Sequence, residues 1–252
     1  MAENLLKGKK GIIFGALNEM SIAWQVAEKA KEQGADLILT NAPIAMRMGE
    51  INTLAKKLDA PVIAADATRD DDLNALFEQS MTHFGGGVDF VLHSIGMSPN
   101  VRKGFPYTAS NHDFYLKTLD ISGLSLHRVL QAAYERDAIN EWGSVVGLTY
   151  IAAQRVFPDY NDMADAKSLL ESIARSFGYH YGVKKKVRVN TISQSPTMTT
   201  AGSGVKGFDK FVAYADAMCP LGNADASACA DYCVSLFSDH TRYVTMQNLF
   251  HD

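Results

Sequence analysis

Two tyrosines and a lysine close together in the sequence have side chains that could stabilise a developing negative charge. Tyr150 follows an apolar run, residues 144–148, that predicts a strand, and Tyr160 and Lys167 fall in a helical pattern beginning at about residue 160. Positions seven apart on a helix lie within about 20° of two full turns, so we expect Tyr160 and Lys167 to share a face. Tyr150 would lie at the C-terminal end of its strand, where open α/β sheets bind ligands. Two phenols and an ammonium so placed can bind an oxyanion, although a buried Tyr beside a solvated Lys is the competing interpretation.

The segments that must position these side chains alternate between strand and helix. Strand patterns lie at residues 11–15, 35–41, 61–65, 88–93 and 144–148, and a further one at 188–193. Helical patterns separate them, among them residues 47–58 and a long one at about 111–137. This alternation predicts an α/β fold with a Rossmann-type doubly wound parallel sheet. No linker or repeat divides the 252 residues, so we expect a single domain over residues 1–252.

The turn after the first strand has the features of an anion site. Gly15 ends the strand, and Ser21 and Ile22 open the next helix, whose N-terminal N–H groups and dipole attract phosphate. The G-x-G-x-x-G fingerprint is absent, so a plain βα turn is the competing interpretation.

The sequence leaves the choice between NADH and NADPH open. The second strand is followed by Asn41, Ala42 and Pro43, without the acid that usually binds the adenosine ribose of NAD. Arg47, a few residues on, could instead meet a 2′-phosphate. Asp66 is placed to accept a hydrogen bond from an adenine amino group, with capping of the following helix as the alternative.

Composition narrows the class of protein. The chain is 47% hydrophobic and 21% charged with a formal net charge of -4, which does not indicate nucleic acid as the main partner. No apolar run approaches the ~20 residues of a bilayer span, and the N-terminus lacks the apolar core of a signal peptide. Cys219, Cys229 and Cys233 form no Cys-x-x-Cys pair, and we interpret Cys229 and Cys233 as small core residues. His93, which closes an apolar strand, is interpreted as a hydrogen-bonded core residue. We expect a cytoplasmic protein.

Three motifs belong together: Gly15-x5-Ser21-Ile22-Ala23, then His93-Ser94-Ile95-Gly96, then Tyr150-x9-Tyr160-x6-Lys167. Together they resemble bacterial enoyl-acyl carrier protein reductases, a divergent branch of the short-chain dehydrogenase/reductase superfamily. The six-residue gap between Tyr160 and Lys167 is the distinguishing detail, because most of the superfamily has a gap of three. Residues 188–193 and 203–208 also match, so the resemblance covers essentially residues 8–252.

The resemblance implies reduction of a trans-2-enoyl thioester on acyl carrier protein by NADH, with NADPH not excluded, in a homotetramer without metal. Tyr160 would donate to the enolate oxygen, Lys167 would hold the nicotinamide ribose, and Tyr150 would line the acyl side of the pocket. The predicted cofactor contacts are Gly15, Ser21, Ile22, Asp66, Ala67, Ser94, Ile95, Gly96, Lys167, Pro196, Thr197 and Thr199. The predicted substrate contacts are Met97, Ser98, Tyr150, Met163, Ala201, Val205 and Phe208.

Residues 197–218 are expected to form a substrate lid. Three glycines and several small hydroxyl residues between positions 197 and 210 leave little apolar area to fix this segment, so local opening should cost little. We expect it to order over bound cofactor. A static loop followed by a short helix is the alternative.

Two other functions are compatible with much of the sequence. One is a carbonyl reductase of the same superfamily, which the six-residue gap and the lack of a serine just ahead of Tyr160 disfavour. The other is a non-catalytic dinucleotide sensor, which would have no use for Tyr150, Tyr160 and Lys167 as a set.

Overall fold

Six parallel strands form one sheet in the part of the chain that the computed structural model describes, residues 4–200, 202, 205 and 207–252. The strands are β1 (Lys10–Phe14), β2 (Asp36–Thr40), β3 (Val88–His93), β4 (Ile139–Thr149), β5 (Arg188–Gln194) and β6 (Asn248–His251). Their order across the sheet is β2-β1-β3-β4-β5-β6, and every neighbouring pair is parallel. The predicted Rossmann-type doubly wound sheet is therefore confirmed.

Helices cover both faces of this sheet. Over the same described residues they are α1 (Ile22–Glu32), α2 (Pro43–Met48), α3 (Ile51–Leu58), α4 (Asp70–Phe84), α5 (Pro99–Lys103), α6 (His112–Leu119), α7 (Ser125–Glu135), α8 (Asp162–Lys185), α9 (Phe208–Met218) and α10 (Ala226–Phe237). None of these helices combines the length and the apolarity that crossing a bilayer requires.

Consecutive strand residues face opposite layers of the core. Ile12 packs in a cluster with residues of α4, α7 and α8, whereas Ile13 packs with residues of α1, α3 and α10. Cys229 and Cys233 are fully buried in the second layer as free thiols, which confirms their interpretation as core residues. A parallel strand buried on both faces is a short continuous run of apolar residues, and this is why the strands could be predicted from the sequence.

Two of the predicted elements are wrong in detail. Residues 61–65 form only one isolated bridge, Leu39 with Val62, and not a strand. Pro61 has no N–H to donate, so this segment pairs with β2 mainly through the Pro61 carbonyl and the N–H of Ile63. The helix predicted at residues 47–58 is two helices, α2 and α3, because Gly49 between them is extended.

The long helix predicted at about residues 111–137 is also interrupted. A π-turn at Asp120–Leu124 separates α6 from α7. Gly123 in this turn lies so close to α8 that a Cβ atom there would come within 3.0 Å of the Ala166 carbonyl oxygen. The π-turn therefore lets this segment pack directly against the helix that carries Lys167.

Arg188 fixes the chain after α10 to the sheet. Its side chain is only 2% exposed, and its guanidinium donates to the carbonyl oxygens of Leu236, Ser238 and Thr241 at 2.9, 3.2 and 3.0 Å. Burial lowers the pKa of Arg188 from its ordinary value. The carbonyls therefore take the place of water around a buried cation.

We predict that Arg188→Met lowers the free energy of unfolding by about 2–3 kcal/mol, because hydrogen bonds from a charged donor are lost and their carbonyls stay buried. Urea denaturation measures the change. The control is Arg136→Met, which removes an ion pair to the exposed Glu78 and should cost under about 1 kcal/mol. Equal stability of the two variants would contradict this assignment.

Candidate active site

The two tyrosines lie side by side beyond the C-terminal end of β4. The ring centroids of Tyr150 and Tyr160 are 5.0 Å apart, and Phe157 packs 5.3 Å from Tyr150. Burial raises the pKa of Tyr150 to about 12, with a smaller contribution from the Asp252 carboxylate. Burial and the neighbouring Tyr150 likewise raise the pKa of Tyr160 well above its ordinary value. Both phenols therefore keep their protons at neutral pH and are available as hydrogen-bond donors.

Tyr160 does not lie on the helix that carries Lys167. It ends a 3₁₀ turn at Pro158–Tyr160, and α8 begins only at Asp162. Asn161 between them has φ 45° and ψ -136°, a left-handed conformation that no helix contains. The expectation that Tyr160 and Lys167 share a helical face is therefore wrong, because the seven-residue spacing crosses this turn.

Asn161 is held in its unfavourable conformation by three hydrogen bonds. Its side-chain oxygen accepts from the Ser110 hydroxyl at 2.9 Å and from the N–H of Asp162 at 2.6 Å. Its side-chain amide donates to the Phe105 carbonyl at 2.7 Å. A conformation of this kind costs of order 1–3 kcal/mol and persists only where its surroundings determine it. These contacts therefore set the position of Tyr160.

Asp162 ties the start of α8 to the loop after β3. Its carboxylate is fully buried and accepts from the Ser98 hydroxyl at 2.6 Å and from the Asn100 amide at 2.7 Å. The Ser98 oxygen also caps α5 by accepting from the N–H of Val101. Ser98 is 3% exposed and its side chain stabilises the loop, and its contact with substrate stays a prediction.

Lys167 is a buried cation at the centre of the site. Its ammonium donates to the Leu148 carbonyl, near the end of β4, at 2.7 Å, and the side chain is 7% exposed. Burial lowers the pKa of Lys167 to about 8, and the negative charge of Glu171 opposes that effect. A Cβ atom at Gly96 would lie 3.8 Å from the Lys167 nitrogen, so the loop after β3 passes directly beside it.

His93 belongs to the core, as its position in the sequence indicated. Its Nε2 atom lies 2.8 Å from the Ser125 hydroxyl, which itself donates to the Ile121 carbonyl. Burial, together with the positive charge of Lys167, lowers the pKa of His93 to about 3. His93 is therefore neutral at physiological pH and donates through Nε2.

The turn after β1 has the close packing that a dinucleotide site requires. Gly15 has φ 97°, and a Cβ atom there would come within 1.9 Å of the Ser94 carbonyl oxygen. The Ser21 hydroxyl accepts from the N–H groups of Leu17 and Asn18 at 3.1 Å each, so it orders the turn itself. The N–H groups of Ile22 and Ala23 precede those of Trp24 and Gln25, which bond to the Ser21 carbonyl, and suit a phosphate. These residues fit a dinucleotide.

The contact predicted between Asp66 and adenine has a local competitor. One Asp66 carboxylate oxygen accepts from both the N–H and the hydroxyl of Thr68, at 2.9 and 2.8 Å. Ala67 beside it is 5% exposed. These bonds form a local turn before α4, whose N-cap residue is Arg69, so Asp66 does not cap the helix as the alternative held, and contact with adenine stays a prediction.

The loop after β5 reaches back to the turn after β1. Thr197 donates to the Ser195 carbonyl and accepts from Gln194, and the Asn18 amide donates to the Thr200 hydroxyl at 2.9 Å. The Pro196 carbonyl accepts from the Asn223 amide at 3.0 Å, and the Thr199 hydroxyl accepts from the N–H of Gly202. This loop therefore lies against the turn after β1.

An apolar cluster lies against Tyr160. Its buried members are Val101, Met163 and Val205, with Phe208 and Phe211 of α9 packed on them. The structure thus brings together Met163, Val205 and Phe208 from the predicted acyl pocket. Met97 contributes its backbone, which bonds through N–H and carbonyl to the Ser122 hydroxyl, and Ile95 packs in the core. Ala201, also predicted to contact substrate, lies outside the described residues.

Sequence patterns do not indicate three polar residues that build the site, namely Asn161, Asp162 and Glu171. Each has a residue type that is common at helix starts or on solvated helix faces, and only their partners on other elements show that they are buried. Within the described residues, no group of three His, Cys, Asp or Glu side chains is arranged to hold a metal ion.

Comparison of this chain with protein families, sequences and solved structures gives the same family each time. The family model described as enoyl-(acyl carrier protein) reductase matches residues 15–252. The enoyl-acyl carrier protein reductase (NADH) 1 of Rhizobium meliloti is 34% identical over 87% of this chain and 79% of its own length. The FabI–NADH complex from Alistipes finegoldii is 63% identical, with a TM-score of 0.98 over 99% of this chain and 88% of that one.

A reductase from Bacillus cereus, solved with NADP+ and indole naphthyridinone, is 31% identical with a TM-score of 0.91 over 98% of this chain and 96% of that one. These similarities extend over nearly the whole chain and agree with the motifs around Gly15, Gly96 and Lys167. The chain belongs to the enoyl-acyl carrier protein reductase family.

Proposed function

We propose that this chain reduces the carbon–carbon double bond of trans-2-enoyl thioesters on acyl carrier protein, with NADH, in type II fatty acid synthesis. The observation that carries the proposal is the pair of protonated phenols, Tyr150 and Tyr160, 5.0 Å apart at the sheet edge where Lys167 lies buried. A dinucleotide sensor has no need of such a pair. Membership of the reductase family, whose model matches residues 15–252, supports the same reaction.

Tyr160 is the residue that we assign to charge stabilisation. Bound NADH supplies a hydride for the β-carbon of the substrate, and negative charge then develops on the thioester oxygen. The Tyr160 hydroxyl is a neutral donor whose pKa lies well above the ordinary value, so it can hydrogen-bond that oxygen without losing its proton prematurely. The hydrogen bonds of Asn161 fix this donor before substrate arrives.

Lys167 and Tyr150 are assigned to cofactor and substrate. The Lys167 ammonium, beside the Gly96 backbone, would bind the nicotinamide ribose hydroxyls and add positive potential to the site. Tyr150 would line the acyl side and orient the thioester. The apolar cluster of Met163, Val205 and Phe208 would hold the acyl chain, with α9 as part of the lid.

We infer that NADH is the preferred cofactor. Asn41 rather than an acid follows β2, and its side chain donates to the Ala16 carbonyl and accepts from the N–H of Ala42. Arg47, the candidate for binding a 2′-phosphate, is exposed on α2. The relative from Rhizobium meliloti is named for NADH, whereas the Bacillus cereus structure contains NADP+. The relative's name and the exposure of Arg47 together favour NADH.

We further infer a cytoplasmic homotetramer. Leu116 on α6 and Tyr179 and Val183 on α8 are large apolar side chains exposed by 61–69%. Large apolar side chains exposed on the outer surface of helices suit burial between copies of the chain. Sedimentation velocity measures the assembly.

A panel of two thioesters tests the proposed reaction. With crotonyl and acetoacetyl thioesters at equal concentration, we expect NADH oxidation at 340 nm with the enoyl substrate and little with the ketone. Replacing NADH by NADPH should lower kcat/KM. Preferred turnover of acetoacetyl thioester would identify a carbonyl reductase, and dinucleotide binding without turnover of either would identify a sensor.

The pKa of Lys167, about 8 in the free protein, predicts the pH dependence of cofactor binding. The ammonium that binds ribose is present below pH 8 and is lost as the pH rises through that value. The NADH Kd should therefore be constant near pH 7 and rise roughly three- to tenfold by pH 9. Lys167→Arg keeps its charge and should show no such rise in calorimetry. A flat profile for the natural protein would remove this role from Lys167.

A further inference from the structure

A buried carboxylate lies one helical turn after Lys167 and has no role in the reaction described above. Glu171 is 4% exposed on α8. It accepts hydrogen bonds from the Thr149 hydroxyl at 2.9 Å, from the Gln154 amide at 3.1 Å and from the Asn248 amide at 3.2 Å. These partners come from β4, from the loop after it and from β6, so Glu171 joins three separate elements.

The three groups that face Glu171 are all hydrogen-bond donors. The Thr191 hydroxyl donates to the side-chain oxygen of Asn248 at 3.0 Å, which orients the Asn248 amide so that its NH₂ group faces Glu171. Gln154 likewise faces the carboxylate with its NH₂ group. A carboxylate, which is an acceptor only, suits this set of donors.

Glu171 and Lys167 bind consecutive residues of β4. The Lys167 ammonium holds the Leu148 carbonyl, and Glu171 holds the Thr149 hydroxyl. Gln154, the other partner from this region, lies four residues after Tyr150, so the two donors flank Tyr150 in the chain. Through Thr149 and Gln154, the Glu171 carboxylate thereby bonds the chain before and after Tyr150 to α8.

We propose, on the basis of the reductase function above, that Glu171 is a positioning residue that fixes the Tyr150 segment against α8 and supplies the counter-charge for the Lys167 ammonium. It acts through Tyr150 and Lys167 and does not itself touch substrate or cofactor. The position of the Tyr150 segment affects the KM for the thioester, whereas the charge on Lys167 affects the pH profile of the NADH Kd, so the two effects can be measured separately.

The charge of Glu171 acts on the Lys167 ammonium, because the two side chains lie one turn apart on α8. Its negative charge raises the pKa of Lys167 against the effect of burial. The other titratable groups on elements packed around Lys167 are His93 on β3, the phenols Tyr150 and Tyr160, Asp162 at the start of α8, the Tyr115–Asp165 pair, and Asp120 with Arg128. His93 and the phenols are neutral at pH 7, and among the carboxylates it is Glu171 whose charge raises the pKa of Lys167. Glu171 is thus the group that favours the charged lysine.

The first experiment measures the NADH Kd by calorimetry between pH 6 and pH 9. Glu171→Gln keeps the shape but removes the charge, so the pH at which affinity begins to fall should decrease by about 1 pH unit. Thr149→Val is the matched control, since it removes one hydrogen bond to Glu171 but keeps the charge, and its profile should follow that of the natural protein. A folded Glu171→Gln variant with an unchanged profile would overturn the electrostatic role.

The second experiment uses Gln154→Leu, which changes an exposed side chain and so should not prevent folding. Loss of its hydrogen bond to Glu171 should raise the KM for crotonyl thioester about two- to tenfold, with the NADH Kd unchanged. An unchanged KM would overturn the positioning role. If the natural protein binds NADH but reduces no thioester, the proposed reaction fails, while the calorimetric profiles still decide whether Glu171 sustains the charge on Lys167.

Discussion

The burial of one ammonium group is the constraint on which the site depends. Removing Lys167 from water favours its neutral form, and the structure opposes this with the Leu148 carbonyl at 2.7 Å and the nearby charge of Glu171. The Leu148 carbonyl bonds α8 to the end of β4, and Glu171 does the same through the Thr149 hydroxyl. The groups that keep Lys167 charged therefore also hold α8 against β4, and with it the segment that carries Tyr150.

Tyr160 is positioned by a separate set of hydrogen bonds, those of Asn161 and Asp162. It lies before α8, on a turn whose Asn161 has φ 45°, and hydrogen bonds from Ser110 and to Phe105 hold that turn. Asp162 connects the same point to Ser98 and Asn100 in the loop after β3. The two phenols are thus brought to a ring separation of 5.0 Å by different anchors, one on β4 and one on the loop after β3. Their relative position is fixed before any ligand binds.

Much of this arrangement could be predicted from the sequence. Buried parallel strands are apolar throughout, so the sheet was visible, and Tyr150 and Lys167 were correctly placed at the end of a strand and on a helix. The turn at Asn161 was not visible, because periodicity assumes an unbroken helix. Glu171 was missed because a glutamate on a helix is usually solvated, and its partner Asn248 lies 77 residues away in sequence. Long-range hydrogen bonds of this kind leave no local pattern.

The central claim is that the phenol of Tyr160 stabilises negative charge in the transition state. Turnover of crotonyl thioester by Tyr160→Phe tests it most directly, with Tyr150→Phe as the control and the NADH Kd measured for both. Loss of one such donor should lower kcat for Tyr160→Phe by about 10²–10³-fold, with the NADH Kd unchanged and a much smaller effect for Tyr150→Phe. An unchanged kcat in Tyr160→Phe would contradict the account.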